Sequence, residues 1–208
     1  MSNIILVVWP FFANDLYMIF LGNDTPVLYW TLDVIFFLTI PTVTLICLVK
    51  RNRLTLEDLG IATRPGFGEM AFGLALCVAL LIVREPLLPW LKQVLPWSLS
   101  HGYGFPVSEP FHTGLIIYAA LTAGILEEII FRGMVTSELL KRINNPVVVA
   151  IISLVIFAAI HWSQGPFKLT WTFIWGVVPT IWFLKTRSVW GLIVCHVLYD
   201  LVVFLRFG

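Results

Sequence analysis

Charge is the first thing this chain lacks. Of its 208 residues only 12% are Asp, Glu, Lys or Arg, against 59% hydrophobic ones, and the mean hydropathy is +0.93. No ordinary soluble domain of this size has that balance. Also lacking are the alternating ten-residue segments of a β-barrel. Several apolar runs instead approach or exceed the roughly 20 residues that cross about 30 Å of hydrocarbon as a helix. The expected fold is all-α, a polytopic membrane helix bundle in a single integral membrane domain, residues 1–208. The net charge is only +1, with no polybasic arm and no long acidic tract, so the partner to expect is the lipid bilayer and not nucleic acid.

Cysteine is scarce as well. Cys47, Cys77 and Cys195 each fall inside an apolar run, where a small packing residue is the expected role, and neither a disulfide framework nor a zinc-type spacing is formed. The segment from Met1 to Phe12 has no basic leading region and no small-residue cleavage site, so it reads as a retained first helix and not a signal peptide. No internal repeat or low-complexity segment occurs.

Seven spans are expected, at 3–22, 28–49, 69–91, 113–140, 145–163, 168–185 and 188–206. Lys50, Arg51, Arg53 and Arg64 follow the second span, Lys141 and Arg142 the fourth, and Lys185 and Arg187 the sixth. The other side receives Lys92, Lys168 and Arg206. Basic loops favour the cytoplasm, which gives an N-in, C-out, multi-pass protein of the cell membrane. Asn52 to Gly68 reads as a short surface helix and turn. Gln93 to His112, with Trp97, Tyr103, Phe105 and Phe111, reads as an interfacial loop, either an anchor or a gate.

Against this background Glu127 and Glu128 stand side by side in the apolar stretch Leu115 to Val135, with Arg132 close behind. A carboxylate at the centre of a membrane helix costs at least about 2.5–3.5 kcal/mol on insertion scales. Two of them with a guanidinium call for a structural or chemical reason. Glu128 and Arg132, Phe157 and His161, and His196 and Asp200 are each four residues apart, which places each pair on one helix face. Glu127, about 100° round from Glu128, points elsewhere. At 1.5 Å per residue the glutamates lie about 20 Å from their cytosolic helix end, His161 about 24 Å, His196 about 12 Å and Asp200 about 18 Å. Three spans thus deliver their ionisable groups to one broad layer.

A carboxylate and an imidazole converging on one water remove its proton, and a second imidazole with a neighbouring donor stabilises the oxyanion of an attacked carbonyl. That chemistry hydrolyses a peptide bond. Taken singly, a membrane histidine such as His161 is more often a packing residue. Arg84-Glu85, Asp33 and Asp15 are read in that bland way, as near span ends or locally paired. Two other functions compete. Glu127, Glu128, His161 and His196 are residue types that bind zinc, which would make a metal-dependent protease, although no His-Glu-x-x-His helix is present. Buried charges also mark transporters, although no inverted repeat or pair of broken helices accompanies them here.

Glu127-Glu128-x-x-x-Arg132, Phe157-x-x-x-His161 and His196-x-x-x-Asp200, in this order, resemble the motifs of the CAAX protease and bacteriocin-processing (Abi) family. The resemblance covers roughly Thr113 to Gly208, with Ile125-Leu126 and Phe131-Arg132-Gly133 as matching flanks, and makes 113–208 the expected catalytic core. It implies a glutamate-dependent intramembrane endopeptidase without a cofactor. Its substrate would be a membrane-associated peptide or protein, possibly lipidated: a prenylated CAAX tail, a bacteriocin leader or a C-terminal sorting signal. Some relatives act instead as immunity proteins. By position, Glu127 with His161 would activate the water, Glu128 and Arg132 would support them, and His196 with residue 200 would form the oxyanion site. The family often has asparagine where this chain has Asp200. An ionised aspartate cannot donate to an oxyanion, which leaves a protonated Asp200 or an acceptor that orients His196.

Overall fold

The computed structural model describes residues 2–21, 25–95 and 112–207. Seven helices follow one another among them: α1 (Ser2–Leu21), α2 (Pro26–Lys50), α3 (Phe67–Val94), α4 (Thr113–Leu140), α5 (Pro146–Ala159), α6 (Pro166–Thr186) and α7 (Trp190–Phe207). The protein is all-helical, and five of these helices, α1 to α4 and α6, are long and apolar enough to cross a membrane. Trp97, Tyr103, Phe105 and Phe111, expected in an interfacial loop, lie outside the described residues.

Local chemistry sets most helix ends. Pro26, Pro146 and Pro166 stand in the first turns of their helices, where a missing N–H costs nothing. Asn145 caps α5 by accepting the N–H groups of Val147 and Val148 at 3.0 and 3.2 Å. Gly165, at φ 84°, makes the turn into α6 in a conformation that favours glycine.

Two helices carry wide, π-helical turns. In α2 these cover Val34–Thr39, directly before Pro41, whose ring displaces the carbonyl four residues back. In α4 they cover Glu128–Val135, and hydroxyls hold them open: Thr136 Oγ1 and Ser153 Oγ both donate to the Phe131 carbonyl, at 2.9 and 3.2 Å. Side chains inserted into a helical ladder are a recognised cause of such turns, which concentrate at functional sites.

Glycines bring the backbones together around α7. A Cβ on Gly73 of α3 would lie 2.1 Å from the Gly191 carbonyl oxygen, and one on Gly124 of α4 would lie 2.7 Å from the Val197 nitrogen. Small residues allow this approach where lipid supplies no hydrophobic drive between helices. Each contact fixes α7 against a helix of the bundle.

The segment 51–66 departs from expectation. It forms turns in place of a surface helix. Thr55 and Asp58 do cap each other, through Thr55 N–H to Asp58 Oδ2 at 2.9 Å and Asp58 N–H to Thr55 Oγ1 at 3.1 Å. Gly60, at φ 72°, stops the turn after one round. The segment packs on the bundle, with the Leu59 carbonyl against Gly133 and the Gly60 carbonyl accepting from Val189 N–H at 3.1 Å. Lys141 reaches Asp58 at 2.8 Å, and Arg187 donates to Ser137 at 2.9 Å. Three of the basic segments counted above therefore share one end of the bundle.

Two further expectations are corrected. Asp15 and Asp33 are not locally paired residues of span ends. Both are buried and bond across helices, Asp15 to the Ser163 N–H at 2.8 Å and Asp33 to the hydroxyls of Tyr17 and Tyr118 at 3.0 Å each. The fifth span also ends early: α5 stops at Ala159, so His161 sits on the turn that follows. Arg84 and Glu85 do pair locally, at 3.8 Å.

Candidate active site

Five of the expected site residues meet where α4 and α7 cross. Glu128 is fully buried, and its Oε1 lies 3.0 Å from Arg132 Nη1 and 2.8 Å from His196 Nδ1. Glu127 turns its Oε2 toward the other ring nitrogen of His196, at 3.9 Å. Asp200 Oδ2 approaches that same nitrogen from one turn along α7, at 3.5 Å. His196 is thus bordered by three carboxylates, only one of them within hydrogen-bond distance.

The wide turns of α4 begin at Glu128, between the two acids. They turn Glu128 inward with Arg132, while Glu127 closes the preceding α-helical stretch and makes no hydrogen bond among the described residues. Glu128 pairs with Arg132, four residues on, as their spacing led us to expect. Its partner set is wider than expected, because Glu128 engages His196 as well as Arg132.

Arg132 is 1% exposed and stays charged in any protein environment. Aromatic faces complete its surroundings: its guanidinium carbon lies 3.8 Å from the Phe157 ring centre and 5.2 Å from that of Trp175. Such contacts strengthen when desolvated. Trp175 also packs on His196, with ring centres 4.5 Å apart. Space for the guanidinium comes from Gly176, where a Cβ would lie 3.1 Å from Arg132 Nη2.

His161 stands at the margin. Its ring meets the Phe157 ring edge to face at 5.8 Å, so their relationship survives the end of α5, and its Nδ1 is buried. It makes no hydrogen bond to Glu127 among the described residues. It does lie within electrostatic reach of His196, Arg132 and Lys168.

Trp175, Gly176 and Lys168 were not foreseen at this site. Lys168, expected on the outer face, stands in the first turn of α6 and interacts electrostatically with Asp200 and Glu127. A Trp-Gly pair in an apolar span carries no signal of its own until its neighbour is known to be a buried arginine.

The donors also bear on zinc. Glu128 Oε1 is already shared between Arg132 and His196, and a guanidinium beside a metal ion is electrostatically adverse. Among the described residues no three His, Cys, Asp or Glu side chains are disposed to hold a metal ion.

No curated protein and no solved structure matches the chain. Residues 109–202, which hold every side chain of the site just described, match the family model described as Rce1-like, type II CAAX prenyl endopeptidase.

Proposed function

We propose that the protein is an endopeptidase of the cell membrane that cleaves a peptide bond near the C-terminus of a lipidated, membrane-held substrate, using water activated by Glu127 and His161. The observation that carries this reading is the asymmetry of the glutamate pair. Glu128 is committed to Arg132 and His196, whereas Glu127, beside the same imidazole, makes no hydrogen bond among the described residues.

In the proposed reaction Glu127 takes a proton from water as the water oxygen bonds to the scissile carbonyl carbon. His161 orients that water from the opposite side. The carbonyl π electrons move to oxygen, and the oxyanion is met by His196. With Nδ1–H donating to Glu128, the hydrogen that faces the oxyanion is Nε2–H of the imidazolium. Collapse of the tetrahedral species breaks the C–N bond, and the proton held by Glu127 passes to the leaving amine. The products are a shortened chain with a new carboxylate and a free peptide. A lipid anchor on the substrate would place the bond at bilayer depth and reduce the search to two dimensions.

The test is cleavage of a farnesylated CAAX peptide by the purified protein in lipid vesicles, followed by mass spectrometry. Release of the terminal tripeptide by the wild type, and its loss in Glu127→Gln, is expected. Equal cleavage by both proteins would refute the reading.

A further inference from the structure

The buried stripe of α1 comprises Ile4, Val7, Val8 and Phe11, and at the next helical step it reaches Asp15, 1% exposed. A buried carboxylate in a membrane helix is costly unless its oxygens are bonded. Asp15 Oδ2 accepts the backbone N–H of Ser163 at 2.8 Å, across 148 residues of sequence. Ser163 is the second residue after His161.

Few backbone hydrogen bonds among the described residues hold the turn that carries His161. His161 N–H donates to the Ala158 carbonyl at 3.0 Å, the Gln164 N–H donates to the His161 carbonyl at 3.2 Å, and Gly165 then redirects the chain into α6. Short 3₁₀ turns have poor internal hydrogen-bond geometry. The α1 helix, in contrast, is well registered. Asn3 Nδ2 donates to Glu138 near the end of α4 at 3.3 Å, and the Phe11 ring meets the edge of Phe131 at 5.5 Å. A rigid element therefore bonds to a weak one immediately beside His161.

We infer that Asp15 is a positioning residue for His161, contributed to the active site by a helix that lies outside residues 109–202. The inference rests on the proposed role of His161 in water activation. A misplacement of about 1 Å at a reacting group can cost about 100-fold in rate.

The test compares Asp15→Ala and Asp15→Asn in the full chain, in vesicles, with the farnesylated peptide. Asp15→Ala is expected to lower kcat about 10- to 100-fold with KM within about twofold. Asp15→Asn, whose amide oxygen accepts the same N–H, should restore most of the rate. Asp15→Ala should cost nothing further in a His161→Ala background, since residues that act as a unit are not additive. Val7→Ala, on the same buried stripe, should lower thermal stability and leave kcat alone. Unchanged kcat in Asp15→Ala, a loss equal to that of Val7→Ala at matched stability, or failure of Asp15→Asn to rescue would each overturn the inference. A wild type without Glu127-dependent cleavage would instead overturn the enzymatic reading, and this inference with it.

Discussion

Oε1 of Glu128 is shared by two groups of different kinds, the Arg132 guanidinium at 3.0 Å and the Nδ1 side of the His196 imidazole at 2.8 Å. The neighbouring Glu127 stands 3.9 Å from the other nitrogen of the same ring. Adjacent acids should therefore fail differently. Removing one partner of a buried ion pair strands the other and costs about 3–5 kcal/mol. Glu128→Ala is expected to lower both activity and the unfolding free energy by this order. Glu127→Gln should abolish cleavage with a stability change near the ordinary range for a point substitution, about 1 kcal/mol. Parallel thermal unfolding and kinetic assays check the contrast. A Glu127 variant as unstable as Glu128→Ala would remove the basis for assigning them separate roles.

Gly176 makes a second prediction. A methyl group there would lie 2.7 Å from Leu154 Cδ2, 3.1 Å from Arg132 Nη2 and 3.3 Å from Phe157 Cδ1. Overpacking of this kind typically costs about 1–3 kcal/mol, and here it displaces the guanidinium that holds Glu128. Gly176→Ala should lose stability by that order and activity in addition. Gly114, whose Cβ position has open space among the described residues, serves as the control. Gly114→Ala should change neither.

At Asp200 the geometry favours the orienting acceptor over the oxyanion donor, because Oδ2 faces His196 Nε2 at 3.5 Å. An asparagine can accept from the imidazole and can also donate an N–H. Asp200→Asn should keep kcat within about threefold, while Asp200→Ala, which removes the polar group that borders Nε2 of His196, should fall at least about tenfold. Measuring both rates against pH separates the outcomes. A total loss in Asp200→Asn would mean that the negative charge itself is required.

Metal dependence is a separate prediction. Activity should persist in excess chelator, and elemental analysis of the purified protein should find zinc far below one atom per chain. Stoichiometric zinc together with loss of activity in chelator would overturn the metal-free scheme and return Glu127, Glu128, His161 and His196 to the role of ligands.

The helices were legible because an apolar run of membrane length has one viable backbone state, and prolines such as Pro146 and Pro166 mark where it begins. The pairing of Glu128 with Arg132 was also legible, since four residues apart is a local relationship. Contacts between distant segments were not. Asp15 was seen and read as a span-end residue, although its place on the Ile4, Val7, Val8, Phe11 stripe already put it on the packed face. Asp33 could not be matched to Tyr118 without knowing that α2 lies against α4. The end of α5 two residues before His161 follows from the tight Gly165-Pro166 turn, and helical spacing alone ran past it. The wide turns of α4 depend on Ser153, from another helix, so no reading of 128–135 alone would show them.

The lock at the basic end of the bundle predicts a pH window. Burial pulls against ionisation of Asp58, but the Lys141 ammonium at 2.8 Å and the Thr55 N–H at 2.9 Å outweigh it and hold the carboxyl below its usual value. Burial likewise opposes the charge on Lys141, and Asp58 with Glu138 raises it above the ordinary lysine value. A depressed acid contributes stability above its unfolded pKa, about 3.9, and loses it as pH falls through the folded one. A raised lysine contributes below about 10.4 and loses it as pH rises through its folded value. The segment 51–66 should therefore be held uniformly between about pH 5 and 10 and loosen on either side. Lys141 is 47% exposed, so the effect is small, below about 1 kcal/mol. Hydrogen exchange of the Leu59 to Ile61 amides at about pH 3 and about pH 7, corrected for intrinsic rates, reads it directly. Asp58→Asn should make protection weaker at pH 7 and equal at the two values. Acid-dependent protection that survives in that variant would show that another group governs this end of the bundle.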